Sequence, residues 1–160
     1  MSVVPDLLAE IDACQYLFLR EIGEPRANSL RLLIHEARAS SQAVPIEIAE
    51  TQLGEGHPVE SDDSCSIFEI LWQNYVAYQV TNESLVHGES SGEVWSGRIA
   101  RLYTKSHFLE YVLRKTYACD EHPGPGPLLH FCLICSDHII DVVAAEAPQV
   151  RRIWPKLAVH

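Results

Sequence analysis

The spacing of apolar residues at the start of the chain predicts a helix, with a strand as the alternative for its second half. Pro5 and Asp6 are typical of a helix start. The apolar positions that then recur at near-helical spacing are Leu7, Leu8, Ile11, Cys14, Phe18 and Ile22. This pattern favours one long helix that ends at Gly23. In the alternative, the helix ends near Ala13, and residues 16–22 form a strand that pairs with the strand after the next loop.

Runs of branched and aromatic residues predict strands through the middle of the chain. The predicted strands are residues 30–36, 44–50, 65–72, 75–81 and 95–103. Pro45 suits an edge position, because proline cannot donate to a ladder of hydrogen bonds. Gln73 and Asn74 form either a tight turn or a bend within one long strand. Residues 52–64 are rich in glycine, proline and acid, which predicts a loop.

The last third of the chain predicts one helix and one hairpin. Thr104 or Ser106 can cap a helix that continues to Cys119. Its apolar stripe consists of Phe108, Leu109, Val112, Leu113 and Tyr117. Residues 123–127 read Pro-Gly-Pro-Gly-Pro and interrupt regular structure. A C-terminal β-hairpin then pairs residues 128–135 with 138–145 around a two-residue turn.

These elements predict an α+β fold. We expect a curved antiparallel sheet of about five to seven strands that packs on one or two helices. The order of elements has no regular strand–helix alternation, which argues against a parallel, doubly wound sheet. A chain of 160 residues has the size of one domain, so residues 1–160 are expected to form a single unit.

The formal charge of −10 comes from one stretch of the sequence. Residues 39–97 contain no Lys or Arg. The ten acids in this stretch are Glu47, Glu50, Glu55, Glu60, Asp62, Asp63, Glu69, Glu83, Glu89 and Glu93. A negative field attracts basic partners and repels nucleic acid and anionic membranes. We therefore expect an acidic face for a basic protein partner, with Glu60, Asp62 and Asp63 as binding candidates. The alternative is a solvated surface that promotes solubility.

The cysteines, the first residues and the length of the apolar runs indicate the cellular compartment. Five cysteines at scattered spacing do not make a disulfide framework, so reduced thiols are expected. The first residues have no basic region before an apolar run, and no apolar run reaches the roughly 20 residues of a membrane helix. Together these features predict a cytoplasmic protein.

One set of residues has the spacing of a zinc site. Cys119 and His122 are followed by Cys132 and Cys135 in a Cys-x2-His-x9-Cys-x2-Cys pattern. The last two lie in a predicted strand, where residues three apart point to opposite faces. The alternative, which we favour, is that these cysteines pack in the core, so no metal or cofactor is expected.

The predicted hairpin register produces a second candidate. A two-residue turn at 136–137 places His130, Cys132 and Asp141 on the same face as neighbours. A thiol beside an imidazole and a carboxylate can become a nucleophile, and the same groups can ligate a metal. The alternative is that His130 and Asp141 simply face solvent.

Aromatic residues form a third candidate. The cluster consists of Trp72, Tyr75, Tyr78, Trp95 and Tyr103, with Arg101 and His107 nearby in sequence. Aromatic residues with a few polar groups can line a small-molecule pocket, in which Trp72, Tyr75, Arg101 and His107 would bind. The alternative is the core and rim of a sheet.

The sequence carries no P-loop, dinucleotide fingerprint, nucleophile elbow or zinc-protease motif. The charge segregation therefore favours a non-enzymatic interaction module. An enzyme or metal site on His130, Cys132 and Asp141, and a small-molecule binder that uses the aromatic cluster, are the alternatives.

Overall fold

Antiparallel strands make up most of the regular structure. The computed structural model describes residues 6–88, 91–118 and 126–153. Its strands are β1 (Tyr16–Gly23), β2 (Leu30–Ala39), β3 (Val44–Ile48), β4 (Thr51–Gly56), β5 (Val59–Glu60), β6 (Ile67–Trp72), β7 (Tyr75–Asn82), β8 (Val94–Ser96), β9 (Ala100–Lys105), β10 (Leu129–Ile134), β11 (His138–Ala144) and β12 (Gln149–Ile153). Its helices are α1 (Asp6–Ala13), α2 (His107–Lys115) and a 3-10 turn, Glu83–Leu85. Neither α-helix is long and apolar enough to span a membrane.

The strands form two five-stranded sheets and one separate pair. The first sheet has the order β1-β2-β6-β12, and β5 also pairs with β2. The second has the order β7-β11-β10-β9-β8, while β3 and β4 pair with each other. The α+β class and antiparallel pairing agree with the prediction, but the prediction of a single sheet was wrong. The chain crosses from one sheet to the other between β6 and β7, at Gln73 and Asn74.

One apolar core joins the two sheets. The buried side chains come from β2 and β6 on one side and from β10 and β11 on the other. Trp72 and Phe131 meet across this core, with ring centroids 5.8 Å apart. Each sheet has an apolar face that must be kept from water, and packing two sheets together buries both faces. Leu8 and Ile11 of α1 belong to the same core.

The prediction of one long N-terminal helix was wrong, and the alternative of a short helix followed by a strand is correct. Helix α1 ends at Ala13, and β1 pairs with β2 from Tyr16 to Gly23. The apolar residues of this segment also fit the alternating pattern of a strand. In β1, Leu17 points into the core and is buried. Backbone hydrogen bonds to a neighbouring strand outweigh a weak local preference for helix. Pro5 lies outside the described residues.

The predicted loop at 52–64 was also wrong, because it contains β4 and β5. Gly54 and Gly56 lie opposite Ile46 and Val44 in the β3–β4 pair. A Cβ added to Gly56 would lie 2.7 Å from Ile46 Cδ1, so the glycine makes room for the isoleucine across the ladder. In sequence such glycines are indistinguishable from loop glycines.

Residues 95–103 form two strands instead of one. The β8–β9 hairpin turns through Gly97, which has φ +89°. A Cβ there would lie 2.2 Å from the carbonyl oxygen of Ala100. The prediction also missed β12, which follows Pro148 and pairs with β6.

Helix α2 is shorter than predicted and lies on the second sheet. Ser106 is its N-cap, and the helix ends at Lys115 instead of continuing to Cys119. It contacts β10 and β11 on the face opposite the core. Val112 is buried, whereas Leu113 of the predicted stripe is exposed.

Candidate functional site

A cleft of 570 Å³ lies on the outer face of the second sheet. Its floor comes from β10 and β11, and side chains of β7, β8, β9 and α2 surround it. Residues singled out by the sequence that line it are Trp95, Arg101, Tyr103, His107, His130, Cys132 and Asp141. The cleft therefore gathers parts of two predicted clusters in one concave site.

The register of β10 and β11 places the trio together. Cys132 pairs directly with Asp141, and His130 pairs with Val143. His130 Nε2 lies 2.8 Å from Asp141 Oδ1. His130 and Cys132 are buried, whereas Asp141 is partly open to the cleft. The three side chains thus form the floor of the cleft.

Ser106 extends this arrangement into a buried hydrogen-bond chain. Its Oγ accepts the N–H of Leu109, as an N-cap does, at 2.9 Å. The same Oγ lies 2.7 Å from His130 Nδ1. All of these contacts are satisfied when the Ser106 hydroxyl donates to Nδ1 and a neutral His130 donates from Nε2 to Asp141.

Gln79 completes the surroundings of Asp141. It lies on β7 directly opposite Asp141 in the ladder, and its Nε2 donates to Asp141 Oδ2 at 3.0 Å. From the sequence, Ser106 was predicted only as a cap, and Gln79 was not predicted as a site residue. The alternation of β7 was a usable signal for Gln79, but its partner strand could not be read from the sequence.

The charges at the floor argue against a catalytic thiol or serine. Burial raises the pKa of Cys132, and the Asp141 carboxylate raises it further, so the sulfur is held as a thiol. Burial also acts to raise the pKa of Asp141, but hydrogen bonds from His130 and Gln79 outweigh it and hold that pKa below its ordinary value. Ser106 is buried and occupied as the cap, so its hydroxyl cannot meet a substrate.

Aromatic rings form one wall of the cleft. Tyr103 stacks on His130 at 4.5 Å between centroids, and Phe108 meets His130 edge-on at 5.4 Å. Trp95 lies 5.5 Å from Tyr103, and the guanidinium of Arg101 lies 4.6 Å above the Trp95 ring. This wall is therefore a continuous stack that begins at Arg101.

The predicted aromatic cluster is divided between the cleft and the apolar core. Trp72 is buried in the core. Tyr75 and Tyr78 contact each other edge-on at 4.9 Å and pack against the core. Tyr75 donates a hydrogen bond to Glu24. Of the five aromatic residues, only Trp95 and Tyr103 line the cleft, because Trp72 belongs to the first sheet and both Tyr75 and Tyr78 pack on the core side of the second.

The cysteine pair of the zinc pattern is split in the same way. Cys135 belongs to the core, whereas Cys132 lies at the floor of the cleft. Cys119 and His122 lie outside the described residues. Within the described residues, no group of three His, Cys, Asp or Glu side chains is arranged to hold a metal ion.

A second candidate surface is the β3–β4 hairpin, residues 44–56, which we call the acidic arm. Among the residues that the structure describes, its two strands pair only with each other. Its exposed apolar side chains are Val44, Ile46, Ile48 and Leu53. It also carries Glu47, Glu50 and Glu55, and it has no Lys or Arg. Ala49 and Glu50 form its turn, both with positive φ.

The arm leaves the first sheet at a well-defined base. The N–H of Ser40 donates to the carbonyl of Pro58 at 2.7 Å, which closes the base of the arm. Glu60 follows on β5, and Asp62 bonds to Ser64 within its own turn. Glu60, Asp62 and Asp63 are all exposed. They extend the acidic character from the arm to its base.

Other acids of the 39–97 stretch do not share this surface. Glu69 is buried on β6 and forms ion pairs with Arg31 and Arg151. Glu93 accepts the backbone N–H of His107 at the rim of the cleft. The acidic stretch contributes strands to both sheets, so the acidic surface is narrower than the whole stretch.

Comparisons with known proteins add no family to this picture. No protein-family model matches the sequence, and searches of curated proteins and of solved structures gave no significant match.

Proposed function

We propose that this protein is a non-enzymatic interaction module that binds a basic protein through the acidic arm. The observation that carries the proposal is a hairpin with exposed apolar and acidic side chains, whose strands pair only with each other within residues 6–88, 91–118 and 126–153. An isolated two-stranded hairpin is at best marginally stable in water. A partner that covers it would supply the missing burial.

The apolar side chains of the arm are arranged for contact. Val44, Ile46 and Ile48 alternate along β3, and the two isoleucines are 42% and 61% exposed. Exposed apolar side chains grouped on one element mark interaction sites more often than the same residues scattered singly. Both outer edges of the hairpin also leave backbone groups open to a further strand.

Charge decides which kind of partner fits. Glu47 and Glu55 lie on the face of the hairpin opposite the apolar stripe, Glu50 lies in its turn, and acids continue at the base of the arm. A second copy of this chain would bring like charges together, which disfavours self-association through the arm. A basic protein surface is complementary in charge, and its association would weaken with salt.

The enzyme alternative has less support. A nucleophile at Cys132 requires an accessible thiolate, but this sulfur is buried and its pKa is raised. The residues of the trio are instead occupied with one another.

Site-specific photo-crosslinking tests the proposal. A photoreactive amino acid replaces Ile48 in the full chain, and the same amino acid at Val80, exposed on β7, is the control. The chain is exposed to extract from its source cells at about 50 mM and about 500 mM salt. We expect an adduct at Ile48 with a protein of basic pI, at low salt and not at Val80.

Matched variants separate the apolar and charged contributions. With the probe kept at position 48, Val44→Ser and Ile46→Ser together remove the rest of the stripe, and Glu47→Gln with Glu50→Gln removes charge. Val94→Ser, another exposed apolar position, is the control. Both arm variants should reduce the adduct, and only the Gln variant should also reduce its salt dependence. Equal labelling from Ile48 and Val80, or no adduct at low salt, would exclude the arm as the binding surface.

A further inference from the structure

We propose that the cleft on the second sheet binds a small planar molecule with an N–H-donating, positively charged edge, such as an aromatic or heteroaromatic amidine or amine. The proposal does not depend on the acidic arm, which belongs to a different part of the fold. It depends on the size of the cleft, its apolar walls and the carboxylate at its floor.

The cleft has suitable dimensions and walls. Its volume of 570 Å³ falls within the roughly 300–1,000 Å³ of small-molecule sites. Trp95 and Phe108 line one side, while Ile134 and Ile139 lie together near the floor. Aromatic and aliphatic surfaces of this kind favour a flat, apolar body.

Asp141 supplies the polar contact. A carboxylate has about four acceptor positions, and hydrogen bonds from His130, Gln79 and Cys132 occupy three of them. The Asp141 side chain is 13% exposed, so it still opens to the cleft. The hydrogen bonds that it accepts favour its charged form, and a charged acceptor in a partly buried site selects a donor with a positive charge.

The other charged groups of the cleft do not create an anion site. The Arg101 guanidinium lies over the Trp95 ring, donates from Nε to the carbonyl of Arg98 at 3.0 Å, and donates from Nη1 to Tyr103 Oη at 3.3 Å. These two donors are thus directed along the wall. Glu93 adds a second carboxylate at the rim, so an anionic ligand would meet two negative groups.

Three probes of nearly equal shape test the proposal. Benzamidine carries a positive N–H edge, benzamide a neutral edge and benzoate a negative edge. Titration of the full chain, followed by ¹H–¹⁵N NMR, gives the affinities and the location. We expect benzamidine to bind about tenfold or more tightly than benzoate, with benzamide between them. Shifts should concentrate at Cys132, Asp141 and the Trp95 indole.

Two variants place the contact at the floor. Asp141→Asn should reduce benzamidine affinity about tenfold. Since this change also alters a partner of His130, Thr81→Lys serves as a second variant. Thr81 lines the cleft beside Ile139, and a lysine there would compete for Asp141. Asp63→Asn, on the exposed surface, is the control and should change nothing.

Several results would overturn the proposal: benzoate binding as tightly as benzamidine, no binding by any probe, shifts outside the cleft, or full affinity in the folded Thr81→Lys variant. Ile46→Ser in the arm should leave benzamidine binding unchanged. A failure of the cleft proposal can therefore be told apart from a failure of the arm proposal.

Discussion

At the scale of single residues, His130 is a buried polar group with its ring contacts fully used. Both ring nitrogens are engaged, one with Ser106 and one with Asp141, while Tyr103 covers a face of the ring. A buried polar group is tolerable only when its hydrogen bonds are made. The stability of the packing between α2 and the second sheet therefore depends on each residue in the Ser106–His130–Asp141 hydrogen-bond chain.

Replacing Ser106→Ala should destabilise the protein by about 2–4 kcal/mol. The change removes the N-cap of α2 and leaves His130 Nδ1 without a donor. Urea unfolding followed by circular dichroism measures the loss. Ser84→Ala, at an exposed serine, is the control and should stay within about 0.5 kcal/mol. A loss below about 1 kcal/mol for Ser106→Ala would mean that the buried chain contributes little.

Cys132 should react with iodoacetamide at least about tenfold more slowly than free cysteine. Burial is the larger cause of its raised pKa, and the charge of Asp141 is the next. Timed alkylation with peptide mass spectrometry gives the rate in the folded protein. In urea, Cys132 and Cys65 should react alike, which controls for local sequence. A rate above that of free cysteine would favour the nucleophile alternative.

At the scale of elements, two short features hold strands in place. Gly97 allows the β8–β9 turn, and the three backbone N–H groups that follow it, from Arg98 to Ala100, all donate to Asp12 Oδ1 at 2.7–2.9 Å. This carboxylate ties α1 to the second sheet. On the first sheet, Glu69 joins β6 to β2 and β12 through Arg31 and Arg151.

Replacing Gly97→Ala should cost about 2 kcal/mol or more. The residue has φ +89°, and its new Cβ would collide with the Ala100 carbonyl oxygen. Gly23→Ala is the matched control, because no atom lies within 4 Å of a Cβ there. Chemical denaturation of both variants provides the measurement. Equal stability of the two variants would contradict the account of this turn.

Replacing Glu69→Gln should cost about 1–2 kcal/mol at neutral pH, a value reduced because Arg151 is 72% exposed. The hydrogen bond from Arg151 is the largest cause that lowers the pKa of Glu69 from its ordinary 4.5; burial opposes it, and Arg31 adds to the lowering. The folded-state pKa is thus below the unfolded value. The stabilisation is present above pH 4.5 and is lost as the pH falls through the folded-state pKa.

Urea midpoints measured from about pH 7 to about pH 3 test this dependence. The difference between the wild type and Glu69→Gln should shrink as the pH falls below the unfolded pKa. Glu21→Gln removes the other, 62% exposed partner of Arg31 and should have little effect at any pH. A difference that stays constant with pH would show that the charge of Glu69 is not responsible.

At the scale of the whole molecule, the two sheets share one core, and the acidic arm lies outside it. None of the fully buried side chains comes from the arm. The base of the arm is already closed by the Ser40–Pro58 hydrogen bond. The body of the protein should therefore fold without the arm. Removing the arm then tests its proposed binding role without a large loss of stability.

Replacing residues 43–56 with a two-residue Asn-Gly turn should change the free energy of unfolding by less than about 1 kcal/mol. The same deletion should abolish capture of the proposed partner by the full chain in a pull-down at about 50 mM salt. Ile140→Ala, in the core, is the contrasting variant and should cost about 2–5 kcal/mol. An arm deletion that costs more than about 2 kcal/mol would mean that the arm supports the body.

The sequence by itself determined those features that depend on neighbours along the chain. Thr104 or Ser106 before an amphipathic stretch marked the start of α2, and period-two alternation around a two-residue turn put His130, Cys132 and Asp141 on one face. The gap in Lys and Arg marked the region of the acidic arm. Each of these follows from local backbone geometry or from composition.

The tertiary structure decided which strand pairs with which. Residues 16–22 became a strand because β2 offered hydrogen bonds along its edge, and Gly54 and Gly56 became strand residues because isoleucine and valine lie across from them. Gln79 entered the site because β7 pairs with β11. Hydrogen bonds and burial between distant segments have no period in the sequence, and therefore only the folded chain reveals them.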